Sequence, residues 1–238
     1  MVGINDSKCV LVIGATSGIG RALALAIHAL ESKPIIIVAG RRQARLDEIA
    51  TDNDKDYRLK SVCVDISAGK DALKKFVESI LEEYPKLDTV VFAAGIQRSL
   101  NFAKVDDIVL DDIYDEFNVN YLSITVLIYH FLPHLRKLAA GDNHVSWFQS
   151  VPRTNVHVME ILPPLVESEL HDQQGTTEYL SKRWMPLKEF TKHAMEGLGR
   201  GDLNIVVPDT RIYWEKVEKE RIEISKENAK RIRQILEV

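Results

Sequence analysis

The sequence predicts an α/β fold built on a doubly wound parallel sheet, and three observations carry the prediction. Aliphatic, β-branched runs recur at Cys9 to Ile13, Pro34 to Ala39, Leu59 to Val64 and Leu87 to Ala94, separated by stretches of helical character. The spacers are long enough for crossover helices, which join parallel strands with right-handed connections. A cluster of glycines, Gly14, Gly18 and Gly20, lies between the first run and the first helix. The chain has 238 residues, enough for one large domain with a full core.

Composition narrows the function classes. The chain is 45% hydrophobic and 28% charged with a net charge of -4, ordinary for a globular protein and without the basic footprint that nucleic-acid binding requires. Cys9 and Cys63 both fall in predicted core strands, so buried, unreactive thiols in a reducing compartment are expected. The opening MVGIND lacks a charged and then apolar run, so no secretory signal is expected, and Val2 argues against myristoylation. The longest apolar candidate, Tyr121 to Leu138, is broken by His130, Pro133, His134, Arg136 and Lys137, well short of the roughly 18 apolar residues of a membrane helix. The expected location is the cytoplasm, with no membrane partner.

The first run, CVLVI, reads as a buried strand, and RALALAIHAL, from Arg21 to Leu30, as the helix after it. Glycines in that turn let backbone approach a pyrophosphate, while the unpaired amides and positive dipole end of the helix point at it. The spacing G-x-x-x-G-x-G resembles the short-chain dehydrogenase/reductase family rather than the G-x-G-x-x-G dinucleotide fingerprint. The resemblance implies a single Rossmann-like domain over residues 1–210 and a nicotinamide cofactor. It would hold that cofactor on Gly14, Thr16, Ser17, Gly18, Ile19 and Gly20.

The second strand ends at Gly40, Arg41 and Arg42. In a dinucleotide fold this point faces the adenosine ribose: an acid accepts the 2′-hydroxyl of NAD, whereas arginine accommodates the 2′-phosphate of NADP. No acid stands there, and Asp47 and Glu48 lie a turn or more into the next helix, so NADP is favoured over NAD. The alternative is that Arg41 and Arg42 solvate a helix start.

The third strand ends at Asp65 and Ile66, which match the family positions that bond the adenine amino group and cover its ring. Asp65 also suits a helix cap, and both roles fit. The following helix, Lys70 to Tyr84, carries an apolar face of Leu73, Phe76, Val77, Ile80 and Leu81. After the fourth strand, Ala94 and Gly95 match the end of the family's Asn-Ala-Gly turn beside the cofactor ribose. Ala93 replaces its asparagine, which removes a side-chain amide that steadies the central strands.

A long helical stretch is expected from Asp107 to Leu138. Within it Asn120 matches the family asparagine that kinks the helix and holds a proton-relay water, and it is the candidate catalytic residue. His130 and His134 stand four apart without a third ligand and are read as structural.

Beyond this helix the family has a fifth strand ending in a catalytic serine, then a helix with tyrosine and, four residues on, lysine. No tyrosine of this chain has lysine four residues later; Tyr179 has Arg183 there and Lys182 at three. The family tyrosine serves as acid or base on the substrate oxygen, and lysine lowers its pKa from about 10. The pattern resumes at Val156 to Leu162, where Pro163, Val166 and Ser168 match the nicotinamide-facing loop. Asn120 and Pro163 are 43 positions apart, about 25 to 30 fewer than a fifth strand and its crossover helix require. Ser146, in HVSWFQ, is a weak substitute, because only Ser150 to Asn155 would connect it to the next strand. The Val156 strand either takes the vacant place or leaves a gap. The missing helix would also form much of the family's usual dimer face, which leaves a homodimer open.

The C-terminal part, PPLVESELHD and then MPLKEFTKHAMEGLGRGDLNIVV, resembles fungal-type members of a DltE-like oxidoreductase subgroup. Residues 211–238 read as a charged, solvated helix with Glu215/Lys219 and Glu227/Arg231 pairs. Two functions are expected from all this. One is an NADP(H)-dependent oxidoreductase acting on a small carbonyl or alcohol substrate, as the resemblance implies; the other is a catalytically inactive NADP(H)-binding sensor or scaffold. A truncated or mis-spliced sequence is a further account of the gap.

Overall fold

A computed structural model of the chain describes residues 3–53, 56–98, 100–140 and 156–236. Four parallel strands form the main sheet in the order β3-β2-β1-β4: β1 (Cys9–Ile13), β2 (Ile35–Gly40), β3 (Leu59–Cys63) and β4 (Thr89–Phe92). Every residue of β1 is buried, as a central strand covered on both faces requires. Its alternating side chains feed two different cores. Val10 and Val12, with Ile36 and Val38 of β2, pack beneath α1 (Gly18–His28), α2 (Gln43–Asn53) and α7 (Leu187–Arg200). Leu11 and Ile13, with Ile37 and Ala39, pack beneath α3 (Lys70–Glu83) and α5 (Ser123–Ala140). This is the doubly wound α/β architecture that the sequence predicts.

Each layer is anchored by a fully buried aromatic ring, Phe190 of α7 on one side and Phe131 of α5 on the other. Burial of one such side chain stabilises by about 1.5–3 kcal/mol.

The stretch expected as one helix from Asp107 to Leu138 is divided. Ile108 and Val109, both β-branched, take extended backbone with ψ of 121° and 114°, so α4 starts only at Leu110 and runs to Phe117. A π-helical turn, Asn118–Leu122, then joins α4 to α5 and carries Asn120.

The strand expected over Val156 to Leu162 is also shorter. Only β5 (Glu160–Leu162) forms a ladder, because its parallel partner β6 (Asn204–Val206) is equally short, confined between the left-handed Gly201 and Pro208. Among the described residues β5 pairs with β6 and not with β4, so this strand does not take the place beside β4. Ile205 and Val207 nevertheless pack into the α1/α7 core. The segment where the family has its fifth strand, expected here to be absent or degenerate, and Ser146 lie outside the described residues.

Cys63 departs from expectation as well: it is exposed, because it ends β3, the edge strand of the sheet. The remaining helices are α6 (Thr177–Leu180), α8 (Arg211–Tyr213) and α9 (Lys219–Leu236). Among the described residues at the start of α9 and along it, Glu218 pairs with Arg221 and Glu223 with Lys226, both at i,i+3, where the sequence suggested i,i+4 pairs. None of the described helices is long and apolar enough to cross a membrane.

Candidate functional site

The carboxyl ends of the four strands converge on one cavity of about 320 Å³, the place where open α/β sheets bind ligands. Of the residues singled out in the sequence, Gly14, Thr16, Ser17, Gly18, Ile19, Arg41, Arg42, Asp65, Ile66, Ala94, Gly95 and Ser168 line it.

The floor is the turn from β1 into α1. Gly14 sits at φ +92° and Gly18 at φ +53°, a region L side chains rarely adopt. The Gly14 and Ala15 amides both donate to Ala39 O, at 2.9 and 3.1 Å, which ties the turn to the end of β2. A Cβ on Gly14 would collide with the backbone of Ala94, and one on Gly20 with the carbonyl of Gly14. Gly20 therefore lies behind the cavity, closing helix against strand. The first turn of α1 contains no acid, so nothing of its own neutralises the positive end of that helix.

Arg42 forms one wall. Its Nε and Nη2 donate to Thr16 Oγ1 at 3.0 and 2.8 Å, and Nη2 also donates to Ser17 Oγ at 2.5 Å. Those bonds hold the guanidinium across the glycine turn. Its Nη1 donates to Glu169 Oε2 at 2.7 Å, and Arg45 of α2 donates to the other oxygen of the same carboxylate. The Arg42 hydrogen bond, against opposing burial and together with the Arg45 bond and both positive charges, holds the Glu169 carboxyl below its usual range. Arg41 is exposed, and its carbonyl accepts a weak bond from Cys63 Sγ at 3.7 Å.

Asp65 Oδ1 accepts from the Ser67 amide at 2.9 Å and the Ser67 hydroxyl at 2.7 Å, so it caps its own turn while lining the cavity. Burial pushes its pKa up, but the Ser67 bonds and the Arg41 charge outweigh burial and leave it lowered. Ile66 is buried beside it.

Asn120 stands just outside the lining, with both ends of its carboxamide on one residue. Oδ1 accepts from Ile96 N at 2.9 Å and Nδ2 donates to Ile96 O at 2.7 Å. The π-helical turn thus clamps the loop after β4. Val166 also falls outside the lining, buried and bridged to Met185, as does Pro163, which is exposed. Ser168 faces Gly18: a Cβ on that glycine would meet Ser168 Cβ at 3.3 Å.

The sequence reading missed Glu169. Its only local signal was position, one residue past Ser168, whereas its partner Arg42 is 127 residues away. Ala93, Ile96, Gln97 and Leu170 join the lining too. Behind Ser168 and Glu169, between α1 and α7, runs a second, open groove of about 870 Å³ that contains Trp184, Lys188 and Lys192.

Other candidates sit elsewhere. Burial, and then the Asp88 charge, push the Cys9 thiol up to about 12, which suits an inert thiol. His134 Nε2 lies 3.0 Å from Leu87 O, and His130 meets the Tyr129 ring edge-on. Tyr179 is exposed beneath the Arg183 guanidinium, 5.9 Å from its ring centre.

A family model described as short chain dehydrogenase matches residues 8–142, more than half of the chain and all of the β1–β4 half of the site. The chain belongs to the short chain dehydrogenase family. Among relatives of this family member, the uncharacterized oxidoreductase DltE of Bacillus subtilis is 27% identical over 84% of this chain and 87% of its own length. The NADP-dependent 3-hydroxy acid dehydrogenase of Schizosaccharomyces pombe is 26% identical over 87% of this chain and 93% of its own. A short-chain dehydrogenase from Sphingobium yanoikuyae, solved in complex with NADPH, shares the fold, with a TM-score of 0.70 at 18% identity over 92% of this chain and 95% of that one.

Proposed function

We propose that this chain is an NADP(H)-dependent oxidoreductase acting on a small carbonyl or alcohol substrate. The observation that carries the reading is Arg42, whose guanidinium is fixed across the glycine turn by Thr16 and Ser17 at the end of β2. A dinucleotide fold brings the adenosine ribose to that place, and arginine there receives a 2′-phosphate.

The residues present fit a dinucleotide. Gly14 and Gly18 hold positive φ, the first-turn amides of α1 lack intrahelical acceptors, and Asp65 and Ile66 stand where adenine would lie in the family. Residues 1–210 form the nucleotide-binding domain in this reading, and 211–238 are a charged appendage. Ala94 and Gly95 offer backbone to the ribose next to the nicotinamide, and Ser168 approaches from the opposite side. When bound, the nicotinamide supplies or accepts the hydride. Asn120 fixes the loop after β4 through both polar atoms of Ile96, a positioning role. The NADP-dependent relative from Schizosaccharomyces pombe supports the cofactor assignment.

One observation favours a second reading, a binding protein without turnover: no tyrosine in the sequence is followed four residues later by lysine. Fluorescence titration with NADPH and NADH followed by NADPH-oxidation assays on a carbonyl panel tests both. Tight NADPH binding with turnover supports the oxidoreductase, and tight binding with none across the panel supports the sensor or scaffold. Binding of neither cofactor overturns both.

A further inference from the structure

The end of β2 offers arginines and no acid, yet the folded chain brings an acid to that end from elsewhere. Glu169 opens the short turn after β5, directly beyond Ser168, and its two oxygens meet Arg42 and Arg45. The donors of Arg42 are divided by this arrangement. Nε and Nη2 are engaged by Thr16 and Ser17; Nη1 faces Glu169 alone among these groups. Carboxylate and phosphate are alternative acceptors for the same guanidinium edge. A ligand phosphate that reaches Arg42 therefore meets it with a carboxylate already bonded, and the same carboxylate repels the phosphate.

An acid at the adenosine-ribose end has a second effect, because a carboxylate accepts a hydrogen bond from a free 2′-hydroxyl. We infer that Glu169 is a specificity-determining residue that competes with a ligand 2′-phosphate for Arg42 and Arg45. It thereby narrows the preference for phosphorylated over unphosphorylated dinucleotide that the arginines alone would set. The inference rests on the proposed reading that Arg42 faces the adenosine ribose.

Both side chains are partly solvated, with Arg42 42% and Glu169 43% exposed, so exchange of the acceptor needs no opening of the core. Arg45 is 42% exposed and strengthens the hold of Glu169 without touching the glycine turn. Nearby Asp65 is satisfied by Ser67 and does not share this role.

The test compares 2′,5′-ADP with 5′-AMP, which differ in the 2′-phosphate alone, by calorimetric titration of the wild type, Glu169→Gln, Glu169→Ala and Arg42→Ala. Glu169→Gln keeps the size of the side chain and removes the charge; Glu169→Ala guards against a residual amide contact. Both Glu169 variants are expected to tighten 2′,5′-ADP by roughly threefold to tenfold, the scale of one or two exposed ion pairs, with 5′-AMP unchanged or weakened. Equal changes for the two nucleotides, or no gain for 2′,5′-ADP, overturn the inference. Arg42→Ala separates the two levels: if it leaves 2′,5′-ADP binding intact, the ribose assignment fails and this inference with it. If it weakens 2′,5′-ADP while the Glu169 variants change nothing, only the role of Glu169 fails.

Discussion

Arg42 and Glu169, 127 residues apart in the chain, meet at 2.7 Å over the turn between β1 and α1. The pair joins the strand ends of the main sheet to the loop after β5. Through Thr16 and Ser17 the same guanidinium braces the glycine turn, so one side chain connects three segments of the site.

Arg42→Ala removes the group assigned to the 2′-phosphate. NADPH affinity should fall by about tenfold to a hundredfold, the loss expected for a hydrogen bond to a charged group of about 1.5–3 kcal/mol, with NADH changed far less. Intrinsic fluorescence titration with each cofactor reads the difference, and equal losses would refute the assignment.

Gly14→Ala places a Cβ at φ +92° against the backbone of Ala94, which has no side chain to swing aside. Gly175 supplies the control: it also has positive φ, at +65°, but nothing lies within 4 Å of a Cβ built there. Gly175→Ala should cost the left-handed penalty alone, about 1–2 kcal/mol. Gly14→Ala should cost clearly more, measured as a larger drop in the urea midpoint, and should abolish nucleotide binding.

Asn120→Ala strands both polar atoms of Ile96. Because the site is exposed, water takes over in part, and a loss of about 0.5–1.5 kcal/mol is expected. The sharper readout is hydrogen exchange at the Ile96 amide, which should accelerate. Asn120→Asp retains Oδ1 as acceptor and loses the Nδ2 donor, so it should preserve most of that protection. No change at Ile96 in Asn120→Ala would show that the clamp is absent in solution.

Asp88 supplies a pH test. Its carboxylate accepts from Lys8 N at 2.8 Å, Cys9 N at 3.4 Å and the Thr89 hydroxyl at 3.1 Å, but burial outweighs these bonds and raises its pKa above the ordinary 3.8. A raised folded-state pKa means the folded chain binds the proton more tightly than the unfolded one. The stabilising contribution is complete below 3.8 and is lost as pH rises through the folded value. Stability measured by urea unfolding should therefore fall more steeply with rising pH in the wild type than in Asp88→Ala over that window. Parallel slopes would contradict the burial account.

The β1–β4 half of the molecule was legible in the sequence because strands buried on both faces must be continuously apolar, and CVLVI and IIIVA are. The glycine turn was legible for a related reason, since only glycine fits where Gly14 approaches Ala94. What escaped were features fixed by partners distant in the chain. The length of β5 is set by β6, and the break before α4 is set by Ile108 and Val109, whose extended backbone leaves no periodic signature. The acid beside Arg42 leaves no signal along β2, because the fold delivers Glu169 from the opposite side of the cavity. The adjacent Ser168 is matched by resemblance, but nothing local says where the next carboxylate points.

The central claim is that the cavity at the strand ends holds a nicotinamide dinucleotide whose 2′-phosphate is received by Arg42. Its most direct test is competition at equilibrium between NADPH and NADH for the wild-type protein, repeated with Arg42→Ala. Saturable binding of both to one site is expected, tighter for NADPH, with that advantage erased by the substitution. A protein that binds neither dinucleotide, or whose preference survives the loss of Arg42, would contradict it.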